Sequence, residues 1–192
     1  MFGQDRETVE EAFPGDVIGL VNATALRPGD TLFSDVPVAF PPIPSFAPEH
    51  FAVVRCRDAG KYKQFRRGIN QLDTEGVVQV LSSDLRGDQA PVLAAVGPLQ
   101  FEVAQFRMQS EYGVESRLEP MPWTLARWVG PKTPPGAIDA AGLPMQSARV
   151  RDEDGAEMIL FPTPWSAQYL TEKHPEIELL RLPPARIPTK SK

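Results

Sequence analysis

One cysteine, two histidines and no apolar stretch of 18 residues leave this 192-residue chain few of the usual chemical options. A single thiol, Cys56, excludes a disulfide within the chain and fits a reducing compartment. Structural zinc usually takes four Cys or His ligands, and Cys56, His50 and His174 are too few and too scattered to supply them. A membrane helix needs about 20 consecutive apolar residues, and Met1 to Arg6 lack the apolar heart of a secretion signal. No Gly-x-x-x-x-Gly-Lys-Ser/Thr spacing occurs, so no loop of that type cradles a nucleotide phosphate. Asp152, Glu153, Asp154 and Glu157 lack the Asp-x-Asp-x-Asp-Gly register and twelfth-position ligand of a calcium loop. Ser110 and the other serines have no histidine base in a motif. The expectation is a soluble, cytoplasmic chain that is not an enzyme by itself and holds no catalytic residue, metal or cofactor.

Proline, by contrast, is abundant. Its 21 residues are about twice average usage, and they cluster at 37–48, 120–135 and 183–188, marking connections and a tail. Acidic charge is uneven too. Residues 1–47 hold 2 basic and 7 acidic side chains, whereas 48–121 hold 9 and 10, and 122–192 hold 9 and 8. Within the near-neutral middle, Arg55, Arg57, Lys61, Lys63, Arg66 and Arg67 form a basic run broken only by Asp58. Such a patch can pair with phosphates even on an acidic chain; the alternative is an ordinary solvated helix face.

Periodicity divides the chain. Asp16–Asn22, Thr31–Phe33 and Val36–Phe40 read as short strands, with a turn at Arg27-Pro28-Gly29-Asp30. Three such strands cannot make an independent sheet, so residues 1–40 read as the end of a barrel, and 41–48 as a proline-stiffened linker. From His50 the pattern becomes strand (50–57), helix (61–72), strand (77–81), strand (92–96), helix (99–112), strand (114–118). Tyr62, Phe65, Ile69 and Leu72 share one face of the first helix. Leu99, Val103, Phe106 and Met108 are the apolar positions of the second, Leu99 and Phe101 packing on the sheet with Gln100 outward. The order βαββαβ predicts an α+β fold of ferredoxin-like type, a four-stranded antiparallel sheet with two helices on one face. Beyond it come a strand at 125–129, a loop at 132–145, a hairpin of 148–151 and 157–161 turning at Asp154-Gly155, a helix at 166–173 and a strand at 177–182. His174 is expected to cap that helix. These elements read as too few for a second core and are expected to pack on or extend the first unit within a 49–182 domain. Residues 183–192 read as a tail.

The segments Gly15-Asp16-Val17-Ile18-Gly19-Leu20 and Gly29-Asp30-Thr31-Leu32 resemble the end of the β-barrel domain shared by translational GTPases. Gly97-Pro98-Leu99-Gln100-Phe101-Glu102-Val103 resembles the Leu-Gln-Phe form of the release factor 3 family rather than the Gly-x-Gly-Glu-Leu-His-Leu run of elongation factor G. Ile43-Pro44-Ser45-Phe46, Gly76-Val77-Val78-Gln79-Val80, Glu111-Tyr112-Gly113-Val114-Glu115 and Ala126-Arg127-Trp128-Val129 are similar to the same family. The resemblance spans about residues 3–129 and departs at 130–162.

It implies a piece of a factor that uses GTP to remove class I release factors from the ribosome. GTP and its magnesium would sit in an N-terminal GTPase domain outside this chain. The small ribosomal subunit, through rRNA and a ribosomal protein, would be the docking partner, and the six basic residues from Arg55 to Arg67 are the contact candidates. The competing readings are an elongation-factor-G-like fragment and a free-standing ferredoxin-like interaction module.

Overall fold

The computed structural model describes residues 8–9, 11–21, 26, 30–38, 40, 46–83, 87 and 89–183. Among the described residues eight strands and four α-helices follow one another from His50 onward: β1 (His50–Cys56), α1 (Tyr62–Thr74), β2 (Gln79–Leu81), β3 (Val92–Ala95), α2 (Leu99–Tyr112), β4 (Ser116–Pro120), β5 (Leu125–Val129), α3 (Ala137–Ala141), β6 (Ala148–Arg151), β7 (Glu157–Phe161), α4 (Pro164–Lys173) and β8 (Leu179–Leu180). The fold is α+β, built on two antiparallel four-stranded sheets ordered β2-β3-β1-β4 and β6-β7-β5-β8.

The expected βαββαβ order is present, and its two helices lie on one face of the first sheet. Val54, Leu93, Phe65, Ile69, Leu72, Ala104 and Met108 form the core between them. Helix α1 buries the face that its apolar spacing marks out. Gly68 lets α2 come close, since a Cβ there would meet Met108 Sδ at 2.6 Å. Gly113, at φ 64°, ends α2 as a left-handed cap, its amide donating to the Gln109 carbonyl.

The second sheet corrects the expectation that 125–182 cannot build a core. Its inner face packs on the open face of the first sheet. Phe51, Val53, Val92 and Ala94 meet Trp123, Trp128, Val150, Met158 and Leu160 in one cluster. Its outer face carries a third cluster, in which Ile159 and Phe161 pack against Ile138 of α3 and Ala167 and Leu170 of α4. The chain is therefore layered helix, sheet, sheet, helix. Burial on both sides is why Phe51–Val54, Val92–Ala95 and Met158–Phe161 are unbroken apolar runs rather than alternating ones. At one corner Ser82 and Arg151 exchange two backbone hydrogen bonds of 2.9 Å, joining the sheets directly.

Other expectations change in detail. Within 11–21 and 30–38 the described residues form no strand, because their backbone groups find no ladder to join; the Arg27-Pro28-Gly29 turn and the 41–45 linker lie outside the described residues. The 132–145 loop contains α3, and the last strand shrinks to Leu179–Leu180. His174 does cap α4, its amide donating to Leu170. The hairpin turn matches its expected position, with Gly155 at φ 80° and Asp152 Oδ1 accepting from the amides of Asp154 and Ala156.

Helix α2 is the largest revision. Leu99 and Phe106 are 68% and 72% exposed and Val103 is also exposed, so only Met108 of the four expected positions is buried, joined by Ala104. Gln100 turns inward instead. Its Oε1 accepts from the amides of Val96 and Gly97 at 2.8 and 3.1 Å, and its Nε2 donates to the Val77 carbonyl at 2.8 Å. Helix residues 99 and 100 point about 100° apart, so the polar one holds the turn and the apolar one is left in solvent.

Candidate functional site

The six basic candidates share one corner of the first sheet but fall into two groups. Arg55 and Arg57 lie at the end of β1, where carboxylates meet them. Arg55 Nε donates to Glu119 at 3.5 Å, Arg57 lies 3.5 Å from Glu115, and Arg117, opposite Arg55 in the ladder, lies 3.6 Å from the same Glu119. Lys61 spans the helix pair, donating through Nζ to the Gly113 carbonyl at 2.7 Å. It neutralises the C-terminal end of α2 and ties it to the start of α1.

Lys63, Arg66 and Arg67 sit on the outer face of α1 and are exposed. Lys63 and Arg67 carry no ion pair to a described residue. These three are spaced so that 63, 66 and 67 share one helical face, opposite the buried Phe65, Ile69 and Leu72. Arg55, Arg57 and Lys61 are thus engaged with neighbouring groups of the fold, whereas Lys63 and Arg67 are available to an anionic surface. Asp58, which breaks the run, caps a single 3-10 turn, its Oδ1 accepting from Gly60 at 2.8 Å.

A second charged group bridges the two helices at their other end. Arg107 of α2 donates to Glu111 one turn along and to Glu75 beyond the end of α1. Hydrogen bonds from Arg107 hold the carboxyls of both Glu75 and Glu111 below their ordinary 4.5, Gln71 assisting at Glu75. The guanidinium is in turn held more firmly protonated, by Glu111 first and then Glu75.

Depressed carboxyl pKa values contribute stability that is present above 4.5 and lost as pH falls through the folded-state values. An Arg107→Gln variant should melt below the parent at pH 7, and the gap should narrow as pH falls below 4.5. A gap unchanged over that range counts against the linkage. Both carboxylates face solvent, so the effect is a small one.

Among the described residues no group of three His, Cys, Asp or Glu side chains is placed to hold a metal ion, and no helix is long and apolar enough to cross a membrane. His50 opens β1 at the surface, and His174 lies 3.3 Å from Glu176. The arrangement suits electrostatic docking of an anionic surface on α1.

Comparison with known proteins agrees with the resemblance and extends it. The family model described as class II release factor RF3, C-terminal domain, matches residues 40–171, so the family likeness continues past residue 129 and through 130–162. Peptide chain release factor 3 of Gloeobacter violaceus is 46% identical over 184 residues, which is 96% of this chain and 34% of that protein. The same-named protein of Gloeothece citriformis is 45% identical over the same shares, and that of Synechococcus elongatus 40% over 96% and 33%. The chain spans about a third of the length of the curated relatives it matches.

Proposed function

Because the chain belongs to the class II release factor RF3 C-terminal domain family, we propose that it is the ribosome-docking part of a peptide chain release factor 3. The match over residues 40–171 carries this reading. In it, residues 49–182 dock on the small ribosomal subunit through rRNA and a ribosomal protein. Residues 1–40 belong to the translation-factor barrel, residues 41–48 link the two, and 183–192 form a tail. A GTPase domain elsewhere in the protein supplies GTP binding and hydrolysis, and its cycle drives class I release factors off the ribosome during termination. The first sheet, ordered β2-β3-β1-β4 with both helices on one face, supports the ferredoxin-like assignment for residues 50–120.

Within this reading Lys63 and Arg67 are the primary phosphate contacts, Arg66 lies beside them on the same face, Arg55 and Arg57 are secondary because Glu119 and Glu115 partly neutralise them, and Lys61 serves the fold. Cosedimentation with separated subunits over a salt series tests it. The parent chain should bind the small subunit with an affinity that falls as salt rises. A double Lys63→Gln, Arg67→Gln variant should bind several-fold more weakly, with a salt slope smaller by about 1.4–1.8. Lys61 and Arg66 are left in place so that lost binding is not lost structure. Equal binding by both proteins excludes α1 as the docking face.

A further inference from the structure

We propose that Arg127 and Arg181 form a binding site for a phosphate-type oxyanion at the β8 edge of the second sheet. Strand β8 pairs with β5 through Trp128↔Leu180 and Val129↔Leu179. Arg181 is the first residue past β8; continuing that register places it beside Arg127, whose guanidinium feels its charge. Like charges facing each other across neighbouring strands repel.

The row they belong to sharpens the contrast. Arg149 on β6, Ile159 on β7 and Arg127 on β5 are direct ladder partners and lie on one face of the sheet. Arg149 is enclosed by acids. Its Nη2 donates to Glu157 Oε2 at 2.9 Å, its Nε lies 2.7 Å from Oε1, and its Nη1 donates to Asp139 at 2.7 Å. Arg127, two strands away, has no such partner among the described residues. It is half-buried, and its hydrogen bond among them runs from Nη1 to the carbonyl of its own neighbour Ala126, at 2.8 Å.

Burial first, and then the charge of Arg181, work against the guanidinium's proton. A desolvated guanidinium has five N–H donors in a planar fork that fits tetrahedral oxyanions two at a time. An oxyanion seated between the two forks would satisfy those donors and cancel the repulsion. Arg181 is exposed, so the site opens to solvent. The same chemistry is offered by free inorganic phosphate and by a phosphate of an RNA strand.

Thermal unfolding at constant ionic strength tests the site, with chloride exchanged for inorganic phosphate in one arm and a short oligoribonucleotide added in the other. Phosphate stabilises proteins generally by exclusion from their surface, so the readout is the difference between parent and Arg181→Gln. At phosphate tenfold above its Kd the rise in Tm should be larger for the parent than for Arg181→Gln by about 3–6 °C. In chloride alone Arg181→Gln should melt no lower than the parent, because a repulsive pair has been removed. Arg127→Lys, which keeps the charge but loses the fork, should also lose most of the phosphate-specific gain. A specific gain in the oligoribonucleotide arm alone assigns the site to an RNA phosphate. Equal gains in the parent and both substituted proteins, or no gain in either arm, overturn the proposal.

Discussion

Truncating Phe161 to alanine is expected to cost about 3–5 kcal/mol of folding stability, read as a lower urea midpoint at unchanged slope. Phe161 ends β7, is 0% exposed, and fills the third cluster between the second sheet and helices α3 and α4. Deleting its ring removes both the transfer free energy of that surface and the contacts of the lining side chains, which cannot collapse while the sheet holds them apart. The companion measurement is Leu99→Ala. Leu99 looks equally apolar in sequence but is 68% exposed, so its truncation should change stability by no more than about 0.5 kcal/mol. A Phe161→Ala cost below about 1 kcal/mol would show that the second sheet adds little core.

A comparable loss, about 3–5 kcal/mol, is expected for Trp128→Ala. Trp128 is 3% exposed between the two sheets, where side chains of β1 and β3 meet those of β5, β6 and β7. Its indole Nε1–H donates to Asp152 Oδ2 at 2.9 Å, and Oδ1 of the same carboxylate accepts from two turn amides. The side chain therefore links the layer packing to the β6–β7 turn. Trp128→Phe should restore much of the packing while leaving the carboxylate short of one donor, so its cost should fall between parent and alanine. Because both sheets share this core, Trp128→Ala should lower one common transition. Two separated transitions would show that the sheets fold as independent units.

The local elements are legible because their signals are local. The 3, 4 and 3 spacing of Tyr62, Phe65, Ile69 and Leu72 has one helical solution, and the structure buries that face. Gly113 and the Asp154-Gly155 turn end or reverse the chain where positive φ is needed. Helix α2 resists the same treatment because apolar residues lie on both of its sides. Spacing alone does not say that Ala104 and Met108 face inward while Leu99, Val103 and Phe106 do not. The second core does carry a sequence signal. Met158–Phe161 is a continuous apolar run, as a strand covered on both faces should be.

The candidate site shows the same division. The basic run can be read directly from the chain, but which of its members are already occupied cannot. Glu115, Glu119 and Gly113 lie roughly 50 to 65 residues from their partners, and they reach them only because β4 pairs with β1 and α2 packs on α1. The approach of Arg181 to Arg127 arises in the same way, from the pairing of β8 with β5, which are roughly 50 residues apart in the chain.

By itself, then, the sequence determined the family, the βαββαβ order, the helix stops and the cluster of positive charge, since each depends on residue types at short fixed spacings. The tertiary structure decided that two sheets share a core, which side of α2 is buried, and which cations remain available to an anion. Those outcomes depend on what the folded chain brings opposite each side chain, and burial and charge pairing are properties of both partners.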